Sequence, residues 1–419
     1  MSDHAIEKKP ATDPAFQLPP KLAGLALPLI GGGLIVLLAG FAVTTFGVDA
    51  SYGMSAYLTA LMYAITLAIG SLFFVLVQHL CRAGWSVVVR RVAELMMVMI
   101  VPLSLLFVPI LLSLMGEGTL YKWDNPSFQA DTGVSKAIWE EKERWLTPGW
   151  FTFRSILYLA TWCGLAVWYF RRSRTQDETG ERTLTETMQA RSGPAIIAFS
   201  FCTSFAAFDW VMSLAPMWFS TMFGVYMFTG GVLSAHCAIA LLTYVFQSQG
   251  AMRDEVTVEH YHDLGKLIFG FVCFWGYIGF SQYMLIWYGN IPEETHWYYE
   301  RSHGAWGVLA GALIFAHWLL PFAAIMSRHV RRRPAMVAVI SAYILVLHYV
   351  DLYWVIMPEA DHAGAGLGVG GAAGVFGAVL CAIGMVLLML GLMMKVASQT
   401  KLLPVRDPRL DESLAFHNI

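Results

Sequence analysis

Long stretches of mostly apolar residues recur along the chain, and the shorter segments between them hold most of the charges. An α-helix needs roughly 20 apolar residues to cross about 30 Å of hydrocarbon. Ten segments meet this requirement, at about 22–46, 57–80, 92–116, 152–170, 194–215, 218–246, 264–289, 304–326, 335–357 and 370–396. The sequence lacks the short alternating strands that are typical of a membrane β-barrel. The pattern therefore predicts an all-α membrane protein with ten transmembrane helices.

The composition supports this fold class and excludes several functions. Of the 419 residues, 57% are hydrophobic and only 13% are charged, whereas about a quarter of a soluble protein is charged. A net charge of −2 provides no basic surface for nucleic acid. The six cysteines form no CxxC pair and no Cys/His cluster, so no metal or Fe–S site made by this chain alone is predicted. The polar N-terminus lacks the apolar region of a cleavable signal peptide.

The distribution of Lys and Arg predicts the orientation in the membrane. With the N-terminus in the cytoplasm, 21 of the 27 Lys and Arg residues fall on the cytoplasmic side, as the positive-inside rule requires. An even number of spans places both termini on the same side. We therefore expect a cytoplasmic tail at 1–21, a membrane domain at 22–396 and a second cytoplasmic tail at 397–419.

The longest predicted outer loop, 117–151, contains an amphipathic segment. In the sequence KAIWEEKERWLTPGW, apolar residues recur at helical spacing among acidic and basic ones. This pattern indicates a short helix that lies in the membrane interface. The helix could act as a lid on the bundle or as a docking surface for an external partner, and the pattern does not decide between them.

Three further local features give structural predictions. Arg154, at the outer end of the fourth segment, is expected to extend its charge outward to the interface. Only Pro216 and Met217 separate the fifth and sixth segments, which predicts a tight hairpin. The glycine-rich run 362–377 leads into the last helix, and its small residues favour close helix packing.

Ionisable side chains within the spans are the strongest candidates for function. Inserting a charged side chain at the centre of a transmembrane helix costs about 2.5–3.5 kcal/mol on insertion scales. We therefore expect each of these residues to have a structural or functional role. From the topology they form a ladder of proton-capable groups across the membrane, and we select as a hypothetical proton path Glu94, Asp209, His236, His317, His348 and Asp351. His348 and Asp351 are three residues apart and are expected to hydrogen-bond each other. The alternative is that these groups form interhelical hydrogen bonds that only hold the bundle together.

The spacing of two histidine pairs raises the question of haem. His303 and His317 are 14 residues apart, as are His348 and His362, and 14 helical residues rise about 21 Å. Pro358 lies between the second pair, which places His362 in an outer loop rather than on a continuing helix. Bis-histidine haem is therefore not predicted.

A quinone site would need an apolar cleft with a proton-exchanging side chain at its end. The segment 208–228 places Asp209 beside Trp210, with Trp218 at the start of the next helix. These three residues are the candidates for quinone binding. Tryptophan is also enriched at every membrane interface, so this signal is weak on physical grounds.

Several long motifs resemble one family of membrane subunits. They are VQHLCRAGWSVVVRRVAE (77–94), FDWVMSLAPMWFSTMFGVY (208–226), HDLGKLIFGF (262–271), FSQYMLIWYGNIPEET (280–295) and DLYWVIMP (351–358). The chain resembles the NrfD/polysulfide-reductase membrane-subunit family. It looks most like the second NrfD-like subunit of bacterial alternative complex III, a quinol:cytochrome c oxidoreductase.

The resemblance implies two four-helix bundles, made by helices 2–5 and 6–9, with peripheral first and last helices. It implies that this chain binds no cofactor and has no catalytic residue, and that haem c and Fe–S clusters belong to partner subunits. Menaquinone or ubiquinone is the candidate quinone of the complex. The implied partners are a second NrfD-like ten-helix subunit, multihaem and monohaem c-type cytochromes, an Fe–S subunit and, as a further candidate, a terminal oxidase. The implied location is the bacterial cytoplasmic membrane.

Three functions remain open after the resemblance is considered. The first is a non-catalytic subunit that supports the redox subunits and is a candidate for proton conduction. The second is a subunit that itself oxidises quinol. The resemblance implies that quinol is held by the other membrane subunit, where a His follows the corresponding Pro-Gly-Trp stretch. Here Phe219 follows Pro216-Met217-Trp218, and Phe cannot accept a proton. The third is a stand-alone transporter, disfavoured because Pro102 and Pro109 interrupt helix 3 and no equivalent break is expected in helix 8.

Overall fold

The computed structural model describes residues 13–114, 117–128, 134–360 and 371–418, and within these ranges it contains helices and turns but no strands. The all-α prediction is therefore confirmed. Among the described residues, ten helices are long and apolar enough to cross a membrane, as predicted. They are α1 (Ala26–Gly47), α2 (Ala50–Leu80), α3 (Val87–Leu112), α4 (Pro148–Thr179), α5 (Arg182–Trp210), α6 (Phe223–Ser248), α7 (Val258–Gly289), α8 (Gly304–Met326), α9 (Pro334–Ile356) and α10 (Gly371–Ala397).

Helices α4 and α5 are longer than the apolar pattern predicts. α4 has 32 residues, or about 48 Å, because its charged end continues the helix beyond the hydrophobic segment. The two helices meet at Gly180, whose φ of 74° is left-handed and ends α4. Gln176 Nε2 donates to Thr185 Oγ1 at 2.6 Å, and the Tyr169 hydroxyl lies 2.9 Å from Ser192 Oγ. These side-chain bonds stabilise a helical hairpin that hydropathy alone does not reveal.

The predicted tight hairpin at Pro216 and Met217 is wrong. α5 ends at Trp210, a 3₁₀ turn follows at Met212–Leu214, and α6 begins at Phe223. The connecting segment is apolar because it is buried against other parts of the protein, so its hydropathy resembles that of a span. This longer connection places Trp218 outside both helices.

Helices α2 and α6 cross closely near the middle of the protein. A Cβ atom at Gly70 would lie 2.4 Å from the carbonyl oxygen of Gly231, so only glycine fits this contact. The most apolar part of α2 is 89% buried within the protein, the highest value among the ten spans. α2 is therefore the central helix, and side chains that project from it face other helices rather than lipid.

The first and last spans pack against each other along a seam of glycines. Gly33 and Gly40 of α1 face Gly377, Gly384 and Gly391 of α10, and both sets recur every seven residues. A Cβ atom at Gly384 would lie 2.3 Å from Leu37 N. The described part of the glycine-rich run thus has the close-packing role predicted for it, and residues 361–370 lie outside the described residues.

Both described ends of the chain lie on the same end of the bundle. Leu402 N donates to Phe16 O at 2.7 Å, and Met252 N donates to Ala15 O at 3.1 Å. We call this end the terminal face, and the opposite end, which carries segments 117–128, 134–147 and 290–303, the distal face. The C-terminal segment is not a free tail, because Ser413 Oγ donates to Trp85 O at 2.6 Å.

We expect Gly384→Leu to separate α1 from α10, because the new side chain would overlap the α1 backbone. Thermal unfolding in detergent should begin at a lower temperature than in the unmodified protein. Gly32→Leu is the matched control, since a Cβ atom there meets no heavy atom within 4 Å. Equal stability of the two variants would contradict the role of the seam.

Candidate functional site

Glu94 belongs to a buried ion-pair cluster near the terminal face. Arg90 contacts both Glu94 and Asp407, and Arg91 Nε lies 3.0 Å from Glu94 Oε2. Arg91 Nη2 also lies 2.6 Å from Asp177 Oδ2 on α4. All these side chains are less than a tenth exposed. The cluster joins α3, α4 and the C-terminal segment, and the charge of Glu94 is compensated by two guanidinium groups.

Asp209 is the centre of a second buried cluster, near the distal face. Its carboxylate accepts from Arg154 Nε at 2.8 Å and Nη2 at 2.9 Å, and from Trp145 Nε1 and the Tyr158 hydroxyl, both at 2.8 Å. The prediction that Arg154 extends outward is wrong: only 8% of it is exposed. Its guanidinium turns inward because Asp209 offers a charge of opposite sign and bidentate geometry.

The amphipathic segment of the outer loop forms the predicted short helix at Val134–Lys142. Lys142 Nζ donates to Pro216 O at 2.9 Å and Trp218 O at 2.8 Å. Burial lowers the pKa of Lys142 to about 8. Together with the Trp145–Asp209 bond, these contacts fix the segment on the ends of the spans.

The three quinone candidates do not line one common cleft. Trp210 is buried beside Asp209, and its Nε1 donates to Ser155 Oγ at 2.9 Å. Trp218 instead stacks on Trp297 with ring centroids 4.4 Å apart. Since four donors already surround the Asp209 carboxylate, little of it remains to receive a proton from a ligand.

Asp351 has different surroundings, because its partners are neutral. The carboxylate accepts from the Tyr226 hydroxyl and, at 3.3 Å, from Trp275 Nε1. It is 2% exposed, and no cation pairs with it among the described residues. The predicted bond to His348 is wrong: His348 Nε2 lies 2.9 Å from Thr66 Oγ1 instead.

His317 continues this group from α8. Its ring stacks on Trp275 with centroids 4.3 Å apart, and Trp275 in turn donates to Asp351. In the described part of the chain, neither ring nitrogen of His317 and only one of His348 has a hydrogen-bond partner. The turn of α8 around His317, Leu313–Leu319, is π-helical, although α8 continues without interruption from Gly304 to Met326. π-helical turns are frequent at functional sites.

His236 lies apart from these residues on α6. Its Nδ1 is 2.7 Å from Val232 O, and its ring packs between Phe74 and Phe271. The six candidates thus divide into two charge-compensated carboxylates, one isolated histidine and one group around Asp351. We call Asp351, Tyr226, Trp275, His317 and His348 the Asp351 group.

A cavity of about 380 Å³ adjoins the Asp351 group on the distal side. Its walls come from α6, α7, α8, α9 and the helix Pro292–Ser302, and they include Tyr226 and Trp275. We call it the distal cavity. Its size falls within the range of small-molecule sites, about 300–1,000 Å³.

Sequence reasoning missed two members of the Asp351 group, Tyr226 and Trp275. They are aromatic residues in apolar spans, so nothing in the local pattern separates them from packing residues. Both occur close to motifs that carry the family resemblance, and Tyr226 is the last residue of one of them.

Together, the fold and these clusters define a multi-pass membrane protein. No protein-family model matches the chain, and no curated protein matches it. Within the described residues, no group of three or more His, Cys, Asp or Glu is arranged to hold a metal ion. His362 of the second histidine pair lies outside the described residues.

We expect Asp209→Asn to impair folding, because it leaves the buried Arg154 charge without a counter-ion. Removing one partner of a buried ion pair costs about 3–5 kcal/mol. The yield of folded protein in detergent and its unfolding temperature should both fall. If an Asp209→Asn, Arg154→Gln double variant were no more stable than the single variant, the assignment of this pair as an anchor would be contradicted.

Proposed function

We propose that the chain is a membrane subunit of a quinol:cytochrome c oxidoreductase of the alternative complex III type, located in the bacterial cytoplasmic membrane. In this role it supports the redox subunits and provides the distal part of a proton path. The motif resemblance supports the type of complex, with two four-helix bundles as its architecture. The Asp351 group is the one structural observation that carries proton conduction.

A proton path needs groups that gain and lose protons without disrupting the fold. Glu94 and Asp209 are poor choices, since each charge anchors a buried arginine. Asp351 has only neutral donors, and a buried carboxylate without a cation is neutralised by binding a proton. His317 and His348 then extend the chain of proton-capable groups inward, toward Thr66 on the central helix.

The arginine distribution supports the direction of this path. The terminal face carries most of the lysines and arginines and is therefore cytoplasmic in this proposal, as are both termini. The distal cavity and Asp351 then lie toward the outer side. In an oxidoreductase whose haem and Fe–S centres belong to partner subunits, this placement suits proton exchange on the outer side.

A secondary transporter is the second candidate, and one observation favours it. α3 is divided into Val87–Met97, Ile100–Leu105 and Val108–Leu112, and α8 contains the π-helical turn Leu313–Leu319. Irregular helices at corresponding positions in two halves are a mark of transporters. Quinol oxidation at Asp209 has less support, because its carboxylate is already surrounded by donors.

We expect an affinity-tagged chain, purified from its native membrane in mild detergent, to bring c-type cytochromes, an Fe–S protein and a second ten-helix subunit. Mass spectrometry would identify these companions, and a reduced-minus-oxidised visible spectrum would show their haem. A colourless protein that purifies alone would contradict the proposal and favour the transporter.

We expect Asp351→Asn to leave assembly intact and to slow proton-coupled turnover by roughly 10²-fold, because the amide cannot carry a proton. Proton release during quinol oxidation by the reconstituted complex is the measurement. Asp263→Asn is the matched control, since that carboxylate contacts Lys266 near the terminal face. An assembled Asp351→Asn complex with unchanged proton release would exclude Asp351 from the path.

A further inference from the structure

Two residues in the wall of the distal cavity carry buried hydrogen-bond donors that have no partner among the described residues. Arg301 and Trp354 both belong to its wall. Among the described residues, neither Arg301 Nε nor Trp354 Nε1 has a hydrogen-bond partner, although both atoms are buried. The Tyr298 hydroxyl also lines the cavity; it accepts from Gln282 Nε2 at 2.8 Å and keeps its own hydrogen for donation. A buried donor left unpaired is costly, so this wall is suited to a ligand that offers acceptor oxygens.

Two cationic side chains lie close to these donors. Arg301 and Lys122 both contact Glu359, at 3.2 Å and 3.5 Å, and Glu300 is a second carboxylate beside Arg301. Arg301 is 1% exposed, and burial lowers its pKa because desolvation penalises the charged form. An anion beside Arg301 would offset this penalty.

The rest of the cavity is apolar and reaches the surface that faces lipid. Gly279 of α7 and Gly311 of α8 leave room where larger side chains would fill the space. Phe280, Tyr283 and Ile314 line the cavity and are also exposed. A hydrocarbon chain can therefore leave the cavity between α7 and α8 and enter the bilayer.

We propose that the distal cavity binds an anionic glycerophospholipid of the leaflet on the distal side. Its phosphate and ester oxygens face Arg301, Trp354 and Tyr298, and one acyl chain passes between α7 and α8. The lipid also covers Tyr226 and Trp275, the two donors to Asp351. This inference goes beyond the proposed function and does not depend on it.

A quinol fits the same cavity less well. Its oxidation requires a group that accepts a proton from the ring hydroxyl. Gln282 Oε1 already accepts from Ser220 Oγ at 3.2 Å, Glu359 is paired with Arg301, and Asp351 lies behind Tyr226 and Trp275. The wall thus offers hydrogen-bond donors and the guanidinium group of Arg301, which match a phosphate better than a neutral ring.

The test uses the full chain, purified from its native membrane and analysed for bound lipid by native mass spectrometry. We expect an anionic phospholipid to remain bound, and Gly311→Phe to remove most of it by filling the cavity. A Cβ atom at Gly311 meets no heavy atom within 4 Å, so the substitution should not disturb the helix. Gly270→Phe on α7 is the matched control, because its surroundings are equally open and it lies outside the cavity wall.

A second measurement tests the recognition of charge. Delipidated protein is mixed with vesicles that contain spin-labelled phosphatidylglycerol or phosphatidylcholine, and the immobilised fraction is compared. We expect the immobilised fraction to be severalfold larger for phosphatidylglycerol than for phosphatidylcholine. Trp354→Phe, which removes only the Nε1 donor, should reduce this preference. A retained quinone in place of phospholipid, lipid retention unchanged by Gly311→Phe, or equal immobilisation of the two lipids would each overturn the proposal.

Discussion

A buried charge in a membrane protein must find its counter-charge within the protein, because neither lipid nor water is there to solvate it. This requirement determines how the two ends of the bundle are built. Near the terminal face, Arg90 and Arg91 connect α3 to α4 and to the C-terminal segment through three carboxylates. Near the distal face, Arg154 and Asp209 connect α4 to α5. Each cluster thus sets buried charges of opposite sign against each other and joins separate elements of the chain.

The Asp351 group lies between these two charged clusters and differs from them in the partners of its carboxylate. Its carboxylate is held by neutral aromatic donors, and its histidines keep free ring nitrogens in the described part of the chain. Glu94 and Asp209 are each paired with a buried arginine, whereas Asp351 has no cationic partner among the described residues. Ionisable residues in the spans therefore differ in role according to their partners, and burial alone does not distinguish them.

The sequence predicts the ten spans well, because hydropathy over some 20 residues averages out local detail. It predicts less where a segment is stabilised by contacts rather than by composition. The charged ends of α4 and α5 are helical because they pack on each other, and Arg154 turns inward because Asp209 lies opposite. The candidate residues were found by their rarity in apolar segments, but Tyr226 and Trp275 are common residue types there. Their role depends on a contact between α6, α7 and α9 that no local pattern encodes.

The glycine seam between α1 and α10 has a consequence for biosynthesis. α1 leaves the ribosome before the other nine spans of the described residues, and its most apolar part is only 22% buried by the finished protein, mainly through α10. More than 300 residues must be translated before that partner exists. During this interval the glycine face of α1 contacts lipid or the insertion machinery. Closure of the seam is therefore a late event, and a chain that stops short of α10 leaves its first helix without its main partner.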